Sequence, residues 1–69
     1  MDEEWVLIYS SSQLYEIELI SGMLLENDIE SFVINKQDSA YLIGEIELHV
    51  PIDHILKAKQ LISKYNQIE

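Results

Sequence analysis

The chain has 69 residues, thirteen Asp and Glu against four Lys, a formal net charge of −9 and no cysteine. This length provides for a single domain, 1–69, and the missing cysteines exclude disulfides and thiolate metal sites. A strongly negative field repels phosphate backbones, so we expect no nucleic-acid binding. No apolar run reaches the roughly 18–20 residues of a membrane span, and the N-terminus is acidic where a secretory signal is basic, so we expect a cytoplasmic protein without membrane contact.

The first predicted element is a strand at 5–9, a run of aromatic and aliphatic residues that is apolar on both faces. Ser10 and Gln13 match a capping box, with Ser12 as an alternative cap, and a helix is predicted over 13–27. Its buried face is expected to carry six residues at helical spacing: Leu14, Ile17, Ile20, Ser21, Leu24 and Leu25.

The same helix has a second apolar stripe formed by Tyr15, Leu19 and Met23, which recur at i, i+4 and i+8. A domain of this size cannot surround a helix, so the stripe predicts contact with another chain. The alternative is a set of scattered surface hydrophobic residues, which are common.

Asn27 and Asp28 are expected to end the helix, because both residues tolerate the left-handed conformation. A second strand is predicted at 31–35, a loop at 36–44, a third strand at 45–50 and, after Pro51, a second helix at 53–66. The third strand alternates strictly, which predicts one apolar and one polar face: Ile46, Leu48 and Val50 on the first, Glu45, Glu47 and His49 on the second.

The order β-α-β-β-α predicts an α+β, ferredoxin-like split β-α-β fold, with a three-stranded antiparallel sheet of spatial order 1-3-2 and two helices on one face. The chain after the second helix is too short for a fourth strand, so the first strand is left as an open edge. The open strand edge and the uncovered face of the sheet both favour a homo-oligomer. The predicted interface residues lie on the uncovered sheet face and on the second helical stripe: Trp5, Leu7, Tyr9, Tyr15, Leu19 and Met23.

The charge is unevenly distributed. Residues 1–53 hold twelve acidic side chains and one Lys, a net −11, whereas residues 54–69 hold three Lys and one Glu, a net +2. One interpretation is a solubilising acidic surface with a Lys-rich helix face. The other is docking of a partner, or of another copy head to tail, through the face with Lys57 and Lys64.

The loop before the third strand is the first candidate binding site. It is longer than the two to five residues that a hairpin needs, and it combines an ammonium, an amide, a carboxylate, hydroxyls and an aromatic ring. The alternative is a loop folded back on the sheet edge. The candidate binding residues are Asn35, Lys36, Gln37, Asp38, Ser39 and Tyr41.

Catalytic and metal sites find little support. Ser39 has no sequence context of a nucleophile elbow, and Glu47 with His49 would supply only two metal ligands. There is no Gly-rich phosphate-binding loop. We therefore expect no catalytic residue, no metal site and no cofactor.

Three segments carry a family resemblance: WVLIY at 5–9, EIEL at 16–19 and GEIELHVP at 44–51. Through them the chain resembles, over 5–62, a family of small prokaryotic signal-transducing proteins of uncharacterised function with a ferredoxin-like, PII-like fold. It departs at Asp28, where the family usually has Gly. The leading hypothesis is a non-enzymatic regulatory module that binds itself or another protein, and the alternative, by analogy with PII-type proteins, is a small-molecule or metal sensor.

Overall fold

The computed structural model describes residues 4–37 and 44–68. Its elements are β1 (Trp5–Ser11), α1 (Leu14–Glu26), β2 (Phe32–Asn35), β3 (Ile46–Pro51), a 3₁₀-helix (Ile52–His54) and α2 (Ile55–Ile68). β3 pairs antiparallel with both other strands, so the sheet order is β1-β3-β2. The predicted α+β fold, element order and strand order are confirmed, and most element boundaries differ from the predictions by one or two residues.

Both helices cover one face of the sheet. In β3, Ile46, Leu48 and Val50 are fully buried, as their alternation predicts. They share one core with helical and loop residues: Ile17, Ile20, Leu24, Ile29, Ala58 and Ile62. A slip of one residue in β3 would move all three side chains to water, and each is worth about 1.5–3 kcal/mol when buried, so the hydrophobic effect sets the strand register.

A β-bulge interrupts β1. Leu7 pairs with His49, but Tyr9 pairs with Leu48, so β1 contains one more residue than the facing part of β3. As a result Ile8 and Tyr9 both pack against the core, although strict alternation would place them on opposite faces. The prediction that Tyr9 lies with Leu7 on the uncovered face is therefore wrong.

The start of α1 has no capping box. Ser10 lies in β1 opposite Glu47, and the helix begins at Leu14 after Gln13, with no side-chain cap. The prediction for Ser10 and Gln13 is wrong because β1 continues further than the apolar run that signals it. The strand pairing extends the ladder through polar residues.

Instead, the partly buried carboxylate of Glu16 links the start of α1 to β1. Glu16 accepts hydrogen bonds from the hydroxyls of Ser11 (2.6 Å) and Tyr9 (2.8 Å). Ser11 Oγ also accepts a bond from the backbone N–H of Gln13 at 3.0 Å. The hydrogen bonds from Ser11 and Tyr9 stabilise the ionised form and lower the pKa of Glu16.

The end of α1 is a Schellman motif. Asp28 has φ of 65°, its N–H donates to the carbonyl of Leu25, and the N–H of Ile29 donates to the carbonyl of Leu24, each at 2.9 Å. Ile29 and Leu24 also meet in the core, which fastens the helix end to the sheet. The prediction that Asn27 and Asp28 end the helix is confirmed.

The exposed apolar stripe on α1 contains fewer residues than the sequence predicts. Tyr15 and Leu19 are exposed, as predicted, but Met23 is half-buried and packs against the core. Met23 follows Ile20 by three residues and so borders the buried face, which corrects its assignment to the exposed stripe.

Two leucines predicted on the buried face of α1 are exposed. At 100° per residue, Leu14 and Leu25 lie roughly a quarter turn around the helix from the buried face, which is formed by Ile17, Ile20 and Leu24, so they flank the contact with the sheet. Within the part of the chain that the structure describes, neither helix has the length and hydropathy needed to cross a membrane.

Candidate functional site

The face of the sheet that the helices leave bare carries the candidate site. Leu7 of β1 and Phe32 of β2 both lie opposite His49 of β3, so the three side chains share this face. Trp5, Leu7 and Phe32 are 40%, 48% and 54% exposed. The structure thus places Trp5 and Leu7 where they were predicted, and their role in an interface stays a prediction.

The centre of this face is a groove of about 420 Å³, here called the sheet groove, lined by Trp5, Phe32, Ile34 and His49. The rings of Trp5 and Phe32 are tilted by 60° with centroids 6.0 Å apart, a favourable arrangement for two aromatic quadrupoles. Because β1 and β2 flank β3, the two rings reach toward each other across the central strand. The groove therefore has apolar walls and a single imidazole between them.

A polar row borders the groove. The carboxylate of Glu47 lies 3.1 Å from Nε2 of His49 through one oxygen and 3.4 Å from Nζ of Lys36 through the other. The hydrogen bond from His49 lowers the pKa of Glu47, desolvation opposes this, and the charge of Lys36 adds to the lowering. Both carboxylate oxygens are engaged, which makes Glu47 a poor general base. Among residues 4–37 and 44–68, no group of three or more His, Cys, Asp or Glu is placed to hold a metal ion.

The described beginning of the candidate loop is fastened by structural hydrogen bonds. Asn35 Oδ1 accepts from the N–H of Gln37 at 2.9 Å, and Gln37 Nε2 donates to the carbonyl of Ser12 at 2.8 Å. The N–H of Lys36 donates to the carbonyl of Glu45 at 3.1 Å. These bonds favour the interpretation of a loop folded against the sheet for Asn35 and Gln37.

The other candidate loop residues, Asp38, Ser39 and Tyr41, lie outside the described residues, so their binding role stays a prediction. At the far end of the loop, Gly44 has φ of 110°, and a Cβ there would lie 2.7 Å from the carbonyl oxygen of Lys36. Glycine is therefore required for this close approach. Among the three described candidates, Lys36 alone reaches the rim of the sheet groove.

Phe32 and Ile34 form half of the groove lining, and neither residue is among the predicted site residues. β2 is a short apolar run without alternation, so its pattern does not tell which residues face the open side. Val33 is 38% exposed although it lies opposite the buried Leu48, so the helical layer stops short of β2. Only the register that pairs Phe32 with His49 could have placed these residues on the open face. That register depends on the length of the loop between β2 and β3.

A second exposed surface lies on α2, on the opposite side of the molecule. It is a stripe of residues at i, i+3, i+4, i+7 and i+8, here called the α2 stripe: Leu56, Lys59, Gln60, Ser63 and Lys64. At 100° per residue it is opposite Ala58 and Ile62, which are buried against the sheet, so it points away from the sheet. Leu56 is 76% exposed.

The predicted interface residues are thus divided among three places. Trp5 and Leu7 lie on the bare sheet face, Tyr15 and Leu19 on the outward side of the helical layer, and Tyr9 and Met23 against the core. No single symmetric patch contains all of them.

Comparisons of the chain with models of protein families, with curated proteins and with solved structures found no match. The resemblance to small prokaryotic signal-transducing proteins stays a prediction.

Proposed function

We propose that the protein is a non-enzymatic interaction module that associates with further copies of itself through the bare face of its sheet. The observation that carries the proposal is the sheet groove, in which Trp5 and Phe32 stand half-exposed over the central strand. A contiguous apolar surface with aromatic anchors is typical of protein interfaces.

The size of this face implies a weak contact. Covering about 100 Å² on each of the two rings is worth about 2.5 kcal/mol per ring at 25 cal/mol/Å². Three strands are about 14 Å wide and five residues about 17 Å long, so the contact is well below the ~800 Å² per partner of a standard interface. After the cost of association, we expect a dissociation constant of about 0.1–1 mM.

The chemistry of the face supports a non-catalytic role. Three of its titratable side chains form one row, in which the carboxylate of Glu47 contacts both His49 and Lys36. General acid–base catalysis needs a group poised near a reacting atom in a site that excludes water. A shallow face whose polar side chains already contact one another is better suited to protein–protein contact than to proton transfer.

Light scattering after gel filtration, from about 10 µM to about 1 mM around the expected affinity, tests the proposal. We expect the weight-average mass to rise above the 8.1 kDa of one chain with concentration, and a Trp5→Ala/Phe32→Ala variant to stay monomeric. Leu25→Ala is the matched control, because Leu25 is exposed but lies outside the groove. A wild-type chain that is monomeric throughout, or a double variant that associates equally well, would contradict the proposal. Circular dichroism establishes that each variant is folded.

A second candidate function is a small-molecule sensor, as in PII-type proteins, and the groove volume favours it. About 420 Å³ lies within the range of ligand pockets, and the walls are apolar with one polar group. Trp5 is the only tryptophan of the chain, so its fluorescence reports on the groove directly. A panel of nucleotides, organic acids and divalent metals that leaves both fluorescence and melting temperature unchanged would refute this alternative.

A further inference from the structure

Two exposed surfaces lie back to back on this molecule, one largely apolar and one that combines apolar and basic side chains. The shortest dimension of the fold is 15 Å. One side of it carries the sheet groove, and the other carries the α2 stripe together with Tyr15 and Leu19. A contact that covers one side of a chain with the other side of its neighbour would cover both surfaces at once.

The two surfaces also differ in charge. Lys57, Lys59 and Lys64 are exposed on α2, and within the described part of the chain none of them has an ion-pair partner. Glu45 is exposed and directly precedes β3, and by strand alternation it lies on the same face as Glu47 and His49, so this face carries two carboxylates against the one ammonium group of Lys36. The charges therefore favour the basic helix over an acidic surface as the occupant of the groove.

We infer that the occupant of the sheet groove is the α2 stripe of a second copy of this chain, so that copies stack head to tail. This inference rests on the proposed function, since it assumes that the bare face of the sheet is the docking surface. It adds the identity of the surface that docks there and the polarity of the assembly.

The dimensions of the two surfaces match. From Leu56 to Lys64 the helix rises about 12 Å at 1.5 Å per residue, and the strands that receive it are about 17 Å long over five residues. Leu56 supplies an apolar side chain for the groove beside the paired rings of Trp5 and Phe32. The aliphatic stems of Lys59 and Lys64 can lie along the aromatic rings while their ammonium groups reach carboxylates at the rim. The sheet would then have helices on both faces, one of the stable layer arrangements of proteins.

A symmetric dimer through the groove is the competing arrangement. It would place two copies of the same acidic face against each other, and it would leave Leu56, Tyr15 and Leu19 exposed. It would also stop at two chains, because an isologous contact uses the same patch twice. A head-to-tail contact leaves a free groove at one end and a free stripe at the other, so the assembly grows with concentration.

A complementation experiment separates the two arrangements. The groove variant is Trp5→Ala/Phe32→Ala, and the stripe variant is Leu56→Ala/Lys59→Gln/Lys64→Gln. All five positions are exposed, so we expect both variants to remain folded, which circular dichroism checks. Each variant alone is expected to stay at the 8.1 kDa of one chain. When the two variants are mixed, the intact α2 stripe of the groove variant can dock in the intact groove of the stripe variant. We then expect a one-to-one complex of about twice the mass of one chain.

Fluorescence provides a second readout of the same mixture. The groove variant has no tryptophan, so the signal comes only from Trp5 in the groove of the stripe variant. We expect a saturable blue shift as the groove variant is added. If the stripe variant alone associates like the wild type, or if the mixture stays monomeric with no shift while the wild type associates, the head-to-tail inference is overturned and the proposed function stands. A wild-type chain that is monomeric at every concentration overturns both.

Discussion

Asp28 occupies a position for which glycine is the better residue, and Asp28→Gly should stabilise the fold. Its φ of 65° lies in the left-handed region, and it is the one non-glycine residue among those described with a positive φ. Its carboxylate also stands at the C-terminal end of α1, where the helix dipole is negative. Both the backbone and the charge are therefore unfavourable at this position.

The magnitude follows from three contributions. A left-handed conformation costs an L-residue about 1–2 kcal/mol, and the local hydrogen bonding of Asp offsets part of that. Removing the carboxylate gains about 0.3–1 kcal/mol. The greater freedom of glycine in the unfolded chain opposes these gains by about 0.4–1 kcal/mol. We expect a net gain of about 0.5–1 kcal/mol, or about 2–8 °C in melting temperature for a domain of this size.

Urea and thermal unfolding followed by circular dichroism measure this gain. Asp28→Asn removes the charge but keeps an L-residue at the left-handed position, so it should give only the charge contribution of about 0.3–1 kcal/mol. Glu30→Gly is the matched control, since Glu30 is exposed and has no positive φ, and it should lose stability. The reasoning is refuted if Asp28→Gly is less stable than the wild type, or if Asp28→Asn is no more stable than the wild type.

Two further predictions concern acid stability and the glycines. The folded-state pKa of Glu16 is lowered from 4.5 by its hydrogen bonds to Ser11 and Tyr9, so its contribution to stability is present above that value and lost as pH falls through the folded-state pKa. Urea unfolding of Glu16→Gln should therefore show a shallower loss of stability from about pH 5 to about pH 3, and equal slopes would contradict this. Gly44→Ala should cost more than about 1 kcal/mol, because φ is 110° and the new Cβ would lie 2.7 Å from a backbone oxygen. Gly22→Ala should gain about 0.5–1 kcal/mol, since nothing lies within 4 Å of its Cβ position; changes of the same sign at both glycines would be inconsistent with this reasoning.

The arrangement of exposed apolar residues bears on how this small protein would act. Exposed apolar side chains lie on the sheet, at Trp5, Leu7 and Phe32, and also on the helices, at Tyr15, Leu19 and Leu56, so assembly through one side alone leaves the other side exposed. A contact with a dissociation constant of about 0.1–1 mM, as expected for the proposed association, is sensitive to local concentration. Under the proposed association, tethering or clustering of the chain would raise the fraction of associated chains.

Several features of the structure follow directly from local patterns. The alternation of Ile46, Leu48 and Val50 determined which face of β3 is buried, because a strand places every second side chain on the same side. The pair Asn27 and Asp28 located the end of α1, because few residues accept the left-handed conformation. Chain order and the handedness of the crossover then restricted the sheet to the observed strand order.

Other features arise only from pairing between distant segments. The bulge at Ile8 turns Tyr9 toward the core, and it exists because β1 must match the register of β3. Trp5 and Phe32 are 27 positions apart in sequence, and only the insertion of β3 between their strands brings their rings to 6.0 Å.

The sequence by itself therefore determined the layers of this protein: which residues form helices and strands, and which side of the central strand is buried. The tertiary structure alone determined the groove and the turn of Tyr9 toward the core. The physical reason is that burial acts on the local period of apolar residues, whereas a surface site depends on the three-dimensional register between strands that no local period encodes.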